Sequence, residues 1–111
     1  MAKSKVYFTN FRTTLQENQL QKLARLVKTA GMLENIQFKD RYTAIKIHFG
    51  EPGNLAFLRP NYSRVLVDLI KAQGGKVFLT DCNTLYVGGR KNALDHLDAA
   101  YTNGYSPFST G

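Results

Sequence analysis

The chain has 111 residues, with 15 Lys and Arg against 8 Asp and Glu, and a formal net charge of +7. Its length suits one domain, and 43% hydrophobic with 21% charged residues is ordinary globular usage, which excludes disordered and fibrous classes. A lone cysteine, Cys82, excludes an internal disulfide framework, and the longest apolar run, Leu55 to Leu58, falls far short of the ~18 residues of a membrane span.

Val6-Tyr7-Phe8-Thr9 predicts a short strand. Thr14-Leu15-Gln16-Glu17 has capping-box spacing, and Leu20, Leu23, Ala24, Val27 and Ala30 follow at helical intervals, with Gly31 as the stop. Lys22, Arg25 and Lys28 fall on that helix's polar side and read as a solvated face. Tyr42 to Phe49 predicts a second strand, with Thr43, Ile45, Ile47 and Phe49 on one face and Ala44, Lys46 and His48 on the other. Pro60 opens a helix whose stripe is Tyr62, Val65, Leu66, Leu69 and Ile70, with an Arg64–Asp68 pair outside and Gly74-Gly75 at its end. Lys76 to Asp81 reads as a buried strand. A polar loop from Cys82 to Arg90 leads to a helix with the stripe Ala93, Leu94, Leu97, Ala100 and Tyr101, ended by Gly104. A short aromatic tail follows.

Strand and helix thus alternate three times. The expected fold is α/β: an open three-layer sandwich on a mostly parallel sheet of three or four strands, in the order β-α-β-α-β-α. Strand orders 2-1-3 and 3-2-1 both remain open. Residues 1–111 form one domain, with no linker or low-complexity segment.

Ligands of such folds sit beyond the carboxyl ends of the strands. Thr9, Asn10 and Arg12 follow the first strand; Lys46, His48, Glu51 and Asn54 accompany the second; Asp81, Cys82, Asn83, Thr84, Arg90 and Lys91 follow the third. Three loops therefore offer both charge signs, amides and glycine backbone at one edge. Lys46, Arg90 and Lys91 supply charge, and Glu51, Asn54, Asn83 and Thr84 further ligand contacts. His48, Lys46 and Asp81 are the candidates for proton transfer. Plainer readings stand beside these. Lys46 could snorkel to the sheet edge, His48 could be a structural hydrogen-bonding residue, and Asp81 could cap a turn. His96 reads as solvent-exposed, and Cys82 as a small packing residue or, beside a cation, a thiolate.

Gly88-Gly89-Arg90-Lys91 before a helix would suit a phosphate or carboxylate, or be a solvated basic loop. Gly50-Glu51-Pro52-Gly53 has the outline of a backbone clamp but follows a strand, and neither a dinucleotide fingerprint nor a P-loop is present. His48, Glu51, Asp81 and Cys82 lack any metal-site spacing, so no metal is expected. The charge is uneven, +6 up to Pro60 and +1 beyond it, but no aromatics interleave with the basic residues of the first helix, so nucleic acid is an unfavoured partner.

The run Ala44-Ile45-Lys46-Ile47-His48-Phe49-Gly50-Glu51-Pro52-Gly53-Asn54 resembles the family known as domain of unknown function 362. Arg59-Pro60-Asn61-Tyr62, Gly74-Gly75-Lys76, Thr80-Asp81-Cys82-Asn83-Thr84-Leu85-Tyr86 and Arg90-Lys91-Asn92-Ala93-Leu94-Asp95-His96-Leu97 are similar too. Members are typically longer, and many carry a ferredoxin-type cysteine cluster toward the C-terminus. The resemblance implies the N-terminal part of a longer, iron–sulfur-associated protein, with no cofactor in these residues, whose activity as an enzyme stays open. The leading expectation is a ligand-binding α/β domain of a redox-associated protein that holds a small anionic ligand. The alternative is a non-catalytic module docking another domain or itself, and the third is nucleic-acid binding. Met1-Ala2-Lys3-Ser4-Lys5 precedes no apolar signal region, so a cytoplasmic setting is expected. A narrow sheet with two open edges predicts a homo-oligomer, or completion by the remainder of a longer chain.

Overall fold

The computed structural model describes residues 3–111. Helix α1 (Gln19–Thr29) and the single turn α2 (Met32–Asn35) lead to strand β1 (Tyr42–Lys46). Helix α3 (Pro60–Ala72), strand β2 (Lys76–Thr80), helix α4 (Ala93–Thr102) and the single turn α5 (Pro107–Thr110) complete the order.

The fold is α/β, built on a parallel pair of strands in the register Tyr42↔Lys76 through Lys46↔Thr80. Two strands stand where three or four were expected. Residues 6–9 form no ladder, and Val6 and Phe8 are exposed. Strand propensity expresses itself only through cross-strand packing, and this segment has no partner strand. The β1 ladder runs one bond past its end, Ile47 N–H donating to the Thr80 carbonyl, and then stops because β2 turns away at Asp81. Strand pairing thus ends short of Phe49.

Helix α1 starts later than the capping-box spacing predicts. Asn18 and Gln21 form the reciprocal cap, while Thr14 Oγ1 accepts from Gln16 and Glu17 N–H in a local turn. Gly31, in the left-handed region at φ 77°, ends the helix as expected and opens the unforeseen turn α2. Pro60 stands at the first turn of α3, and Arg64 and Asp68 pair at 2.8 Å. The core comprises Phe38, Val67, Ile70, Ala99, Ala100 and Tyr105, so α3 sits centrally and packs on β2, α1 and α5.

Alternation along β1 and β2 gives the sheet two unlike faces. Thr43, Ile45, Val77 and Leu79 are half-buried, whereas Tyr42, Ala44, Lys46, Lys76 and Phe78 on the other face are exposed. Helix α4 is likewise turned from the predicted stripe. His96, Ala99 and Ala100 are buried, while Leu94, Leu97 and Tyr101 are exposed. The tail, too short by sequence for an element of its own, makes α5, capped by Ser106 and started by Pro107. No helix among the described residues is long and apolar enough to cross a membrane.

Candidate functional site at the ends of the strands

Asp81 follows β2 directly and accepts the Cys82 N–H at 2.8 Å. Because Lys46 is in register with Thr80, the lysine at the end of β1 reaches across to it, Nζ to Oδ1 at 2.6 Å. The Asp81 side chain is 3% exposed, yet two cationic side chains face it, Lys46 and, at 3.4 Å, Arg90, with the His96 ring at 3.5 Å. Burial pushes the Asp81 carboxyl up, but the Lys46 and Cys82 hydrogen bonds and the neighbouring charges outweigh it and hold the group below the usual range.

Arg90 is buried, which fits a guanidinium only when its donors are met. Nε donates to Glu51 Oε2 at 2.7 Å, one terminal nitrogen donates to Tyr86 Oη at 2.9 Å, and the other approaches Asp81. Desolvation works against its charge, the Glu51 and Tyr86 hydrogen bonds prevail, and the Arg90 pKa is raised. In return, the hydrogen bond from Arg90 holds the Glu51 carboxyl below its ordinary value. Glu51, Asp81, Tyr86 and Arg90 thus lock the β1–α3 and β2–α4 loops together, and the arginine's charge is met inside the protein.

His48 bonds within its own loop. Its Nδ1 accepts the Gly50 N–H at 2.9 Å, which places the proton of the neutral ring on Nε2 and makes that edge a donor. Gly50 holds this amide with φ +88°, and a Cβ there would lie 2.7 Å from Phe57. Two clefts meet at His48. One, of about 520 Å³, is lined by Glu51, Asn54, Tyr86 and Arg90. The other, of about 700 Å³, runs between residues 9–11, α1, the end of β1 and α3. Lys22, Lys46 and His48 line the larger cleft, and no carboxylate does. Lys22 Nζ reaches only neutral acceptors there, Asn10 Oδ1 and the Arg12 carbonyl, each at 2.7 Å.

The proposed trio therefore divides. Lys46 and His48 share the larger cleft, while Asp81 touches Lys46 but lines a third cavity of about 530 Å³ with Asn83 and His96. Asn54 Oδ1 accepts from Ala56 N–H, and Thr84 Oγ1 donates to the Tyr86 carbonyl, so both shape their own loops. Asn83 Oδ1 lies 3.0 Å from His96 Nδ1, and that contact draws the histidine inward, against its reading as exposed. Lys91 is exposed and stands apart from the cluster. The helix end after Gly88-Gly89-Arg90-Lys91 is occupied by the chain itself: Asn92 Oδ1 accepts from Leu94 and Asp95 N–H. Lys22, Tyr86 and His96 were missed as site residues, although the similar stretches Thr80 to Tyr86 and Arg90 to Leu97 contain two of them.

An α/β protein with a cross-linked ion cluster and a cationic cleft at its strand ends is the class these features define. The chain belongs to the family described as Domain of unknown function (DUF362), which matches residues 43–111. No curated protein and no solved structure matches it. An iron–sulfur cluster does not fit the residues present. Cys82 is a free, exposed thiol, and no three His, Cys, Asp or Glu side chains converge among the described residues, whereas a cluster is generally held by four cysteines.

Proposed function

We propose that this chain is a ligand-binding domain that holds a small anionic ligand in the larger cleft, at the carboxyl end of β1. One observation carries this reading: the lining presents Lys22, Lys46 and His48 and contributes no carboxylate of its own, Asp81 outside it meeting a single N–H of Lys46. Lys46 gives one N–H to Asp81 and keeps two for a ligand; His48 adds its Nε2–H, and Lys22 its charge. An anion there exchanges hydration for charge-assisted hydrogen bonds. Glu51, Asp81 and Arg90 act as the frame that sets Lys46 and the His48 loop, and His48 serves as a hydrogen-bond donor through Nε2–H rather than as a base. On this reading the domain is the N-terminal part of a cytoplasmic, redox-associated protein, as the family resemblance implies.

Thermal denaturation with inorganic phosphate, acetate and neutral glycerol tests the reading. A ligand at 100 times its dissociation constant adds about 2.7 kcal/mol. Phosphate or acetate is expected to raise the midpoint and glycerol to leave it unmoved beyond its general solvent effect, with Lys22→Met and Lys46→Met each reducing the shift. An anion effect unchanged in both variants contradicts the reading.

A second reading concerns self-association. The open sheet face bearing Tyr42 and Phe78, and the two unpaired strand edges, favour a second copy that extends the sheet toward the expected three or four strands and adds a layer. Sedimentation equilibrium across the micromolar range is expected to give twice 12.5 kDa, and the monomer mass throughout would refute it.

A further inference from the structure

We infer that the ligand of this cleft is a free carboxylic acid with an extended apolar body, not a bare inorganic anion; this rests on the anion reading above. The cleft has two chemically distinct parts. Lys22, Lys46 and His48 provide the cationic part, and Phe11, Leu23, Ile47, Leu58 and Leu66 much of the remainder. Its volume of about 700 Å³ lies within the ~300–1,000 Å³ of small-molecule sites, far more than a phosphate or acetate ion fills.

An inorganic ion would meet the three donors and leave the apolar walls facing water. Phe11 is 75% and Leu58 59% exposed, although both line the cleft. An apolar body between them removes this surface from water, and each methylene so buried tightens binding about fourfold. One negative charge matches the donor set. His48 offers a single N–H and Lys46 has one carboxylate neighbour already, so the site is built for one acidic group rather than for a polyphosphate. The ligand is taken free rather than within a bilayer, because the cleft extends inward to Ser63, which is buried on α3.

The test titrates the full chain with acetate, hexanoate and decanoate below its micellar concentration, with decanol as the uncharged match, following the His48 ring and the Leu23 and Leu66 methyls by NMR. Decanoate is expected to bind at least tenfold more tightly than hexanoate and hexanoate more tightly than acetate, with shifts at both His48 and the leucine methyls. Decanol is expected to bind at least tenfold more weakly than decanoate. Phe11→Ala, at an exposed position that should tolerate truncation, weakens decanoate severalfold, and Phe108→Ala on the remote turn α5 does not. If acetate and phosphate shift His48 and Lys46 but chain length has no effect, the apolar-acid inference fails and the anion reading stands. If no anion perturbs His48 or Lys46, both fail. Sedimentation of the protein with phosphatidylglycerol vesicles, without binding of monomeric decanoate, would identify a membrane lipid as the source and overturn the inference.

Discussion

Lys46 Nζ lies 2.6 Å from Asp81 Oδ1, joining an ammonium that is 63% exposed to a carboxylate that is 3% exposed. The pair is asymmetric. Asp81 keeps Arg90 and the Cys82 amide if the lysine is lost, so the stability cost should match that of an exposed pair. Lys46→Met is expected to change unfolding free energy by about 1 kcal/mol or less. The same variant should weaken anion binding at least tenfold, and urea denaturation with parallel titrations separates the two effects.

Arg90 is the opposite case. Arg90→Met removes the buried guanidinium from Glu51 and Tyr86 and leaves Asp81 to Lys46 and the Cys82 amide, and should cost about 3 kcal/mol. Arg90→Lys recovers only part of this, because one ammonium cannot span Glu51, Tyr86 and Asp81 as the guanidinium does. Urea midpoints of the two variants check the order.

The acid limb of stability should report the same cluster. Glu51 and Asp81 both have folded-state pKa values lowered, the first by Arg90 and the second by Lys46 and Cys82 overcoming burial. Such groups contribute stability that is fully present above the unfolded carboxylate pKa, near 4, and lost as pH falls through the lower folded values. The melting temperature should stay level from neutral pH down to about 5 and fall below about 4. Asp81→Asn should flatten that fall, with His96, Lys46 and Arg90 still in place; an unchanged acid limb contradicts the assignment.

Gly50→Ala should act on both stability and the cleft. The position has φ +88°, and a Cβ would come within 2.5 Å of Asn103 Nδ2, whose amide is bonded to the Phe49 carbonyl. A loss of about 1–3 kcal/mol is expected. The His48 ring should also shift in NMR spectra, since its Nδ1 partner moves.

Helices α1, α3 and α4 and the two paired strands were legible because each carried its own local signal: Pro60 at a helix start, Gly31 and Gly104 at helix ends, alternation over Tyr42 to Lys46. Val6 to Thr9 misled for the reverse reason, since its strand character is local but a strand exists only through pairing. Lys46, Asp81, Glu51 and Arg90 come together at one end of the sheet, where topology gathers the loops. Which charges cancel was not legible. Arg90 and Glu51 are 39 residues apart, and their pairing depends on how two loops fold against each other. Lys22 sat on the polar side of α1, and only the placement of Asn10 and Arg12 beside that helix turns it into the cleft.

The central claim is that the cleft between α1, α3 and the end of β1 receives an acidic group at Lys22, Lys46 and His48. Its most direct measurement is a residue-resolved NMR titration with hexanoate, recording the His48 Nε2–H and the Lys46 and Lys22 side-chain resonances together. The account predicts that all three move along one saturating curve, while Lys91 and the Arg90 guanidinium stay still. Movement of Lys91 and Arg90 with His48, Lys46 and Lys22 unmoved would contradict it.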